Sequence, residues 1–283
     1  MDVGRILFDF GLFFDKKERK SLLKNVKLFL LISGFLLLVG VWLSLPDGKT
    51  RLIFCDVGQG DGVLLSQGTF QMLYDVGPDN GKMRKCLERY VPFWDRKIEI
   101  VILSHWDNDH VGGLEDIGKS YRMEKVFSGV KPEGEFEQKI YAEILRQKDV
   151  LRSDWFKFEV VWPERSNGVG QEEMDSNEMS LVGMLEVSGK KILLMGDTPA
   201  EVEQKLVWRK ILRGKADVLK VGHHGSNTST SEELLEEVRP KVGVIGVGRN
   251  SFGHPTKEVL DRLGKFGVEV KRTDEDGDVV MVL

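Results

Sequence analysis

At 283 residues, with 41% apolar and 30% charged side chains and a formal charge of −4, the chain has a globular composition and enough length to bury a sizeable core. That balance excludes a fibrous repeat and a wholly disordered chain, and the sequence holds neither an internal repeat nor a low-complexity tract.

In chain order, residues 1–27 come first, with seven Lys/Arg against four Asp/Glu. They form a basic segment, expected to be cytoplasmic. Leu28–Leu45 follows as 18 residues without a charge, enough to span roughly 27 Å as a helix at about 1.5 Å per residue. We read it as a transmembrane helix. A buried core helix is seldom apolar on every face for so long. A cleaved signal peptide is opposed by the long leader and by the lack of a small-x-small site before Pro46 and Asp47. Lys16, Lys17, Arg19, Lys20, Lys24 and Lys27 precede the span, whereas only Lys49 and Arg51 follow it closely, and the more basic side stays in the cytoplasm. The expectation is a single-pass protein of the plasma (inner) membrane, N-terminus inside, with residues 46–283 as one extracytoplasmic domain. One span supplies no multi-helix channel.

Beyond residue 27 the chain carries 34 basic and 41 acidic groups. This weighs against avid nonspecific binding to a phosphate backbone and leaves nucleic acid as a partner only through a local basic cleft. From Pro46 onward, short apolar runs ended by Gly and Asp alternate with amphipathic stretches, the pattern of a layered α/β domain. Strands are predicted at 51–56, 62–66, 70–75, 98–104, 125–127, 158–161, 180–187, 190–195, 216–221, 242–246, 268–271 and 278–282. Helices are predicted at 82–90, 135–147, 199–212, 231–237 and 256–266. Thr198 before Pro199, and Ser231 followed by two glutamates, suit helix starts. Ser188-Gly189 between two apolar runs predicts a tight hairpin. The stretch 165–177, rich in Gly, Ser, Asn and acids, predicts an exposed loop. Cys55 and Cys86 are free to pair in an oxidising compartment, while Cys55, in an apolar strand pattern, is equally natural as a buried thiol.

All five histidines fall in loops or turns after apolar strand patterns: His105 and His110, then His223 and His224, then His254. Asp197 follows the strand at 190–195. Ligands of open α/β sheets gather beyond the carboxyl ends of strands, so these loops are expected to converge. His105, Asp107, Asp109 and His110 offer imidazole or carboxylate groups at positions 1, 3, 5 and 6 of one short loop. One cation hardly uses all four and keeps an open position, whereas two metals about 3.5–4 Å apart clamp attacking and leaving oxygens. Glycines at 58, 60, 77, 112, 113, 222 and 225 permit the turns around these groups.

Six motifs in order, Asp56-Val-Gly-Gln-Gly-Asp61, Tyr74-Asp-Val-Gly77, Ile102-Leu-Ser-His-Trp-Asp-Asn-Asp-His-Val-Gly-Gly-Leu114, Met195-Gly-Asp197, Asp217-Val-Leu-Lys-Val-Gly-His-His-Gly-Ser226 and Gly253-His-Pro255, make Arg51–Leu283 resemble the metallo-β-lactamase superfamily. The resemblance is strongest to the hydrolase domain of ComEC-type competence proteins. It implies an α/β fold, a four-layer αββα sandwich with a dinuclear site along one edge. It also implies His105 and Asp107 on the first metal, Asp109 and His110 on the second, Asp197 bridging, and His223 as a further ligand of the second.

Asp107 stands where most of the superfamily has histidine, and only Asn177, Glu178 and Ser180 occupy the region that usually supplies a third histidine to the first metal. Oxygen donors harden that site, so the two divalent ions are expected to be Zn²⁺ or Mn²⁺, with Mn²⁺ plausible at the first. The resulting expectation is a hydrolase using a hydroxide held by two metals, acting on phosphodiesters and, by the resemblance, on DNA. Asp109 would orient the nucleophile, and Lys220, His224 and His254 are candidates for protonating the leaving group. Lys220 also fits an exposed strand-face lysine, and His254 a simple turn residue before Pro255. Asp56, Asp61 and Asp75 read either as partners behind the ligands or as turn caps. A hydrolase of another envelope ester, a thioester or a lactam is the competing activity, and a non-catalytic metal-binding domain the third.

Overall fold

The structure is a computed structural model that describes residues 16–43, 45–132, 140–165 and 174–283. The chain divides into two compact units, Met1–Leu45 and Pro46–Leu283. In the first, helix α1 (Lys16–Leu43) contains one stretch, Lys20–Val41, that is long and apolar enough to cross a membrane and is unburied. The first fifteen residues of the basic segment lie outside the described residues.

In the second unit, the strands are β1 (Thr50–Phe54), β2 (Gly62–Gln67), β3 (Phe70–Val76), β4 (Lys97–Leu103), β5 (Arg122–Ser128), β6 (Ala142–Ile144), β7 (Val150–Arg152), β8 (Phe156–Trp162), β9 (Val182–Val187), β10 (Lys190–Leu194), β11 (Val218–Lys220), β12 (Val242–Ile245), β13 (Glu269–Arg272) and β14 (Val279–Val282), most of them grown from the short apolar runs. One sheet has the order β14-β1-β2-β3-β4-β5-β6 and the other β13-β12-β11-β10-β9-β8-β7. Both sheets are mixed. β3, β4 and β5 run parallel in the first, as do β10 to β13 in the second. The hairpin at Ser188-Gly189 has positive φ at both residues (50° and 73°), the twist a two-residue connection requires.

The helices are α2 (Lys82–Tyr90), α3 (Asn108–Val111), α4 (Leu114–Gly118), α5 (Ala200–Trp208), α6 (Glu232–Val238), α7 (Lys257–Lys265) and α8 (Thr273–Asp276). Ser231 and Thr256 accept backbone N–H bonds at the starts of α6 and α7, as capping residues do. Three apolar layers separate the four structural ones. Leu52, Leu65, Tyr74, Phe158 and Leu185 pack between the sheets. Leu73, Leu87, Leu103 and Leu114 pack the first sheet against α2 and α4, and Leu193, Leu206, Leu219, Leu235 and Leu263 pack the second against α5, α6 and α7. This is the expected αββα sandwich. Cys55 and Cys86 form a disulfide, with Cα atoms 6.0 Å apart, that joins the exit of β1 to α2.

One predicted helix is corrected. Residues 135–139 of the helix expected at 135–147 lie outside the described residues, but Ala142–Ile144 is strand, paired in parallel with β5. Ala142 and Glu143 favour helix, yet exposure alternates from Ile140 to Leu145, Ile140 and Ala142 pack on the first outer layer, and Leu145 enters the inter-sheet core. Edge pairing and burial override local propensity. Strand β7 was likewise not foreseen. Within the loop expected at 165–177, residues 166–173 lie outside the described residues, and Met174–Asn177 contains neither helix nor strand.

Candidate metal centre

The carboxyl ends of the parallel strands bring the chemistry to one edge of the sandwich. β4 ends at Leu103 and delivers Ser104, His105 and the loop to His110; β10 ends at Leu194 and delivers Asp197; β11 ends in Lys220 and enters the turn Gly222–Gly225 that carries His223 and His224. Asp75 lies near the end of β3, and Asp61 sits just before β2. Gly60 makes the close packing possible. Its φ is +136°, and a Cβ there would lie 2.2 Å from the Asp109 carbonyl oxygen, the atom that accepts the Asp61 N–H. Gly196, at φ +55°, lets the chain turn against Ser104, which a Cβ would meet at 2.8 Å.

Each inner histidine is tied by its Nδ1. His105 Nδ1 meets Ser104 Oγ at 2.8 Å and Ser180 Oγ at 3.4 Å. His110 Nδ1 meets Asp75 Oδ2 at 2.9 Å, and Asp75 Oδ1 accepts the Ser104 N–H. His224 Nδ1 lies 2.7 Å from the Gly246 carbonyl, which only accepts, so Nδ1 carries the proton. The three Nε2 atoms are buried without a hydrogen-bond partner, and so is Asp197 Oδ1. Two of the three converge on Asp197: His110 Nε2 is 3.3 Å from Asp197 Oδ1, and His224 Nε2 is 3.3 Å from both Asp197 Oδ2 and Asp109 Oδ2.

Such an arrangement is costly without a cation, because buried polar groups otherwise find partners. Ligand atoms about 2.0–2.2 Å from a metal stand roughly 3.3–3.6 Å apart at tetrahedral angles, so the spacing fits. Asp61, His110, Asp197 and His224 offer ligand atoms that all lie within 4.8 Å of one another. The residues present therefore suit a divalent ion. His105 Nε2 lies 3.6 Å from Asp107 Oδ2, and the His105 and His110 rings are 4.1 Å apart, which sets a second ligand group beside the first. Ser176 donates its hydroxyl to Asp107 at 2.8 Å.

The electrostatics match that reading. Burial opposes charge on His110, but Asp197 and Asp75 outweigh it and lift the imidazole to about 10. Burial likewise opposes charge on His224, and Asp197 and Asp61 push it well above the ordinary range. Asp197 is held well below its ordinary value against burial by His224 and His110. For Asp61, burial is outweighed by Lys220 and His224, which hold the carboxyl at about 2. In the metal-free protein, protons on the imidazoles stand where a cation would, so the two compete.

Lys220 is not an exposed strand-face lysine. Its ammonium is buried, paired with Asp61, 3.8 Å from Asp197 Oδ1 and donating to the Gly196 carbonyl. Burial lowers its affinity for a proton, but Asp61 and Asp197 raise it above the ordinary lysine value. Lys220 is thus a fixed positive charge set against the carboxylates.

His223 and His224 separate. Both adopt left-handed backbone, φ 46° and 51°, a conformation costing roughly 1–2 kcal/mol for a residue with a side chain. The two rings then diverge: His224 enters the cluster, while His223, 28% exposed, reaches only to 3.8 Å from Asp197 Oδ2. His254 stands further out, its ring 5.7 Å from that of His223. Burial lowers both outer imidazoles below the ordinary range. Glu203 of α5, fully buried, accepts the Thr230 and Ser231 N–H groups and fixes the chain just past this turn. Asp56 lies elsewhere, paired with Lys82 and accepting the Gly58 N–H, as a turn cap does.

Ser104, Ser176 and the Gly246 carbonyl were not singled out in the sequence, and Ser180 was named only as standing in the region that usually supplies a third histidine. Ser104 had a signal, its place directly before His105. The carbonyl had none, since every residue has one.

A four-layer αββα sandwich with a His/Asp cluster on one sheet edge, and a superfamily profile matching residues 55–249, place the chain in the metallo-β-lactamase superfamily. Among curated proteins it is 34% identical over 284 residues to Recombination protein 2 of Haemophilus influenzae, covering 94% of this chain and 34% of that protein. It is 31% identical over 281 residues to ComE operon protein 3 of Bacillus subtilis, covering 87% of this chain and 34% of that one. The chain thus spans about a third of the length of these relatives. Among solved structures, the metallo-β-lactamase fold protein YhfI of Bacillus subtilis aligns with a TM-score of 0.56 at 13% identity, over 82% of this chain and 99% of that one. This last likeness concerns the fold alone.

Proposed function

We propose that the chain is a membrane-anchored hydrolase of phosphodiesters that works with two divalent metal ions. The observation that carries the reading is the convergence of two buried, unpartnered imidazole Nε2 atoms, those of His110 and His224, on Asp197. The donors we assign to one ion are His110, Asp109, His224 and Asp197. To the other we assign His105 and Asp107, with Asp197 bridging. His224 replaces His223 as the inner ligand of the sequence-based reading, and Asp61 backs the cluster with Lys220. The oxygen-rich Asp107 side suits Mn²⁺ and the imidazole-rich side Zn²⁺.

When bound, the ions supply Lewis acidity to the scissile group and to the attacking water. The chain does the rest. Asp109, at the open edge of the cluster with its side chain 36% exposed, accepts a hydrogen bond from that water and orients it. Ser104, Ser180, Asp75 and the Gly246 carbonyl fix the imidazoles so that nothing needs to reorganise during the reaction. The Lys220 charge offsets part of the carboxylate field that would repel an anionic diester. His254 and His223, at the rim, have their imidazoles lowered below the ordinary range by burial, so either would pass a proton to the leaving oxygen only from its protonated form.

The phosphodiester reading draws support from one relative, a recombination protein, since DNA is joined by that linkage. For location, the apolar stretch Lys20–Val41 and the basic residues before it support an anchor with the domain outside the cytoplasm. The Cys55–Cys86 disulfide is in keeping with an oxidising compartment.

Turnover of bis(p-nitrophenyl) phosphate by the full chain in detergent, with Mn²⁺ or Zn²⁺ added, tests the function, with Asp109→Asn as control. Metal-dependent hydrolysis that the control lacks supports it. Hydrolysis of a lactam or thioester with none of the diester would replace the substrate class, and equal inactivity of both proteins on all three would remove the enzyme.

A further inference from the structure

One exposed aromatic ring is unaccounted for by metal binding or folding. Phe252 is 72% exposed at the tip of the loop from Gly248 to His254 that follows β12. The loop is nonetheless well fixed. Asn250 donates through Nδ2 to the carbonyls of Gly248 and His254, and its Oδ1 accepts the N–H groups of Phe252 and His254. A polar side chain at the centre of the loop thus templates it and leaves the ring outside.

The ring's position gives that exposure a use. Phe252 stacks on His254 with ring centroids 5.7 Å apart and planes 28° from parallel, and the His254 ring lies 5.7 Å from that of His223. The three rings step inward from solvent to Asp197, which His223 Nε2 approaches at 3.8 Å. A diester whose phosphorus sits at the cluster extends its substituents over this row, and the free side of Phe252 is open to a flat group.

We propose that Phe252 is a specificity-determining residue that stacks on a planar aromatic substituent of the substrate, a nucleobase or another aryl group, on the unit that carries the scissile phosphate. This rests on the phosphodiester reading above and adds the group that is recognised beside the phosphate. Such stacking contributes about 1–3 kcal/mol per base, or roughly 5- to 150-fold in affinity, and tolerates any base because each has a π face.

The test is calorimetric binding to the Mn²⁺-loaded full chain of two probes, thymidine 5′-monophosphate and 2-deoxyribose 5-phosphate, alike in phosphate and sugar and different in the base. Wild type should bind the nucleotide at least about 5-fold more tightly. Phe252→Ala should remove that difference and leave 2-deoxyribose 5-phosphate unchanged, and Phe252→Trp should keep it. Equal binding of both probes by wild type, no binding of either, or an equal loss of both in Phe252→Ala would overturn the assignment. Turnover of bis(p-nitrophenyl) phosphate, measured on the same proteins, separates the two readings. A base preference without turnover sinks the hydrolase reading alone, and turnover without a base preference sinks the role of Phe252 alone.

Discussion

His105 and His110 lie five residues apart on the loop after β4, and both are fully buried. His223 and His224 are adjacent on the turn after β11, and only His224 is buried to the same degree. In the first pair a short helix, α3, lifts His110 back beside His105, and Ser104 touches both rings. In the second, two successive left-handed residues send the rings apart, one to the Gly246 carbonyl and the cluster, the other to the rim. Spacing along the chain is thus a poor guide to shared duty. The backbone between two ligands decides whether they serve one ion, two, or none.

Perturbations rank the inner groups above the outer ones. Asp197→Asn, which removes the carboxylate facing both His110 and His224, should lower kcat/KM by about 10³-fold or more, the scale seen when a member of a cooperating catalytic unit is lost. A loss under tenfold would show that the cluster is not the site. Lys220→Met should leave the Asp61 charge buried and unpaired, lowering unfolding free energy by about 3–5 kcal/mol in denaturant titrations. Asp61→Asn in the same protein should restore much of it, and no restoration would mean the pair is not coupled.

His224→Ala against His223→Ala sharpens the comparison directly. The first should weaken Mn²⁺ binding by about 100-fold and the second by less than about tenfold, a difference of at least about 1.4 kcal/mol. The reverse order would return His223 to the inner position. Asp75→Asn, one step behind His110, should cost about 10- to 100-fold in metal affinity, as outer partners of ligand imidazoles do.

A further comparison concerns pH dependence. In the metal-free chain His110 sits near 10 against about 6.5 when unfolded. Its folded value is the higher, so its contribution to stability is complete below about 6.5 and is lost as pH rises through 10. The melting temperature of metal-free protein should therefore fall between pH 7 and 10, and His110→Gln should flatten that fall. A slope unchanged by the substitution would place the proton elsewhere.

The layered fold and most strands were legible because short runs rich in Val, Ile and Leu, buried on both faces of their sheets, end at Gly and Asp breaks. The strand at Ala142–Ile144 was not, because its residues favour helix and only pairing with β5 makes them extended. Of the site, His105, His110, Asp197 and the paired histidines were visible as loop residues after strands. The choice between His223 and His224 was not, since it depends on two backbone dihedrals that no side-chain pattern encodes. Nor was the buried pairing of Lys220 with Asp61, which joins β11 to a loop more than a hundred residues earlier. Charged partners so far apart in sequence carry no periodic signal.

The central claim is that this edge of the sandwich holds two divalent ions through Asp197. Titration of the metal-free full chain with Mn²⁺, following heat and proton release at pH 8, tests it most directly. The account predicts two equivalents, proton release on binding as the cations displace protons from His110 and His224, and loss of both steps in Asp197→Asn. Saturation without proton release, or binding unchanged in Asp197→Asn, would contradict it.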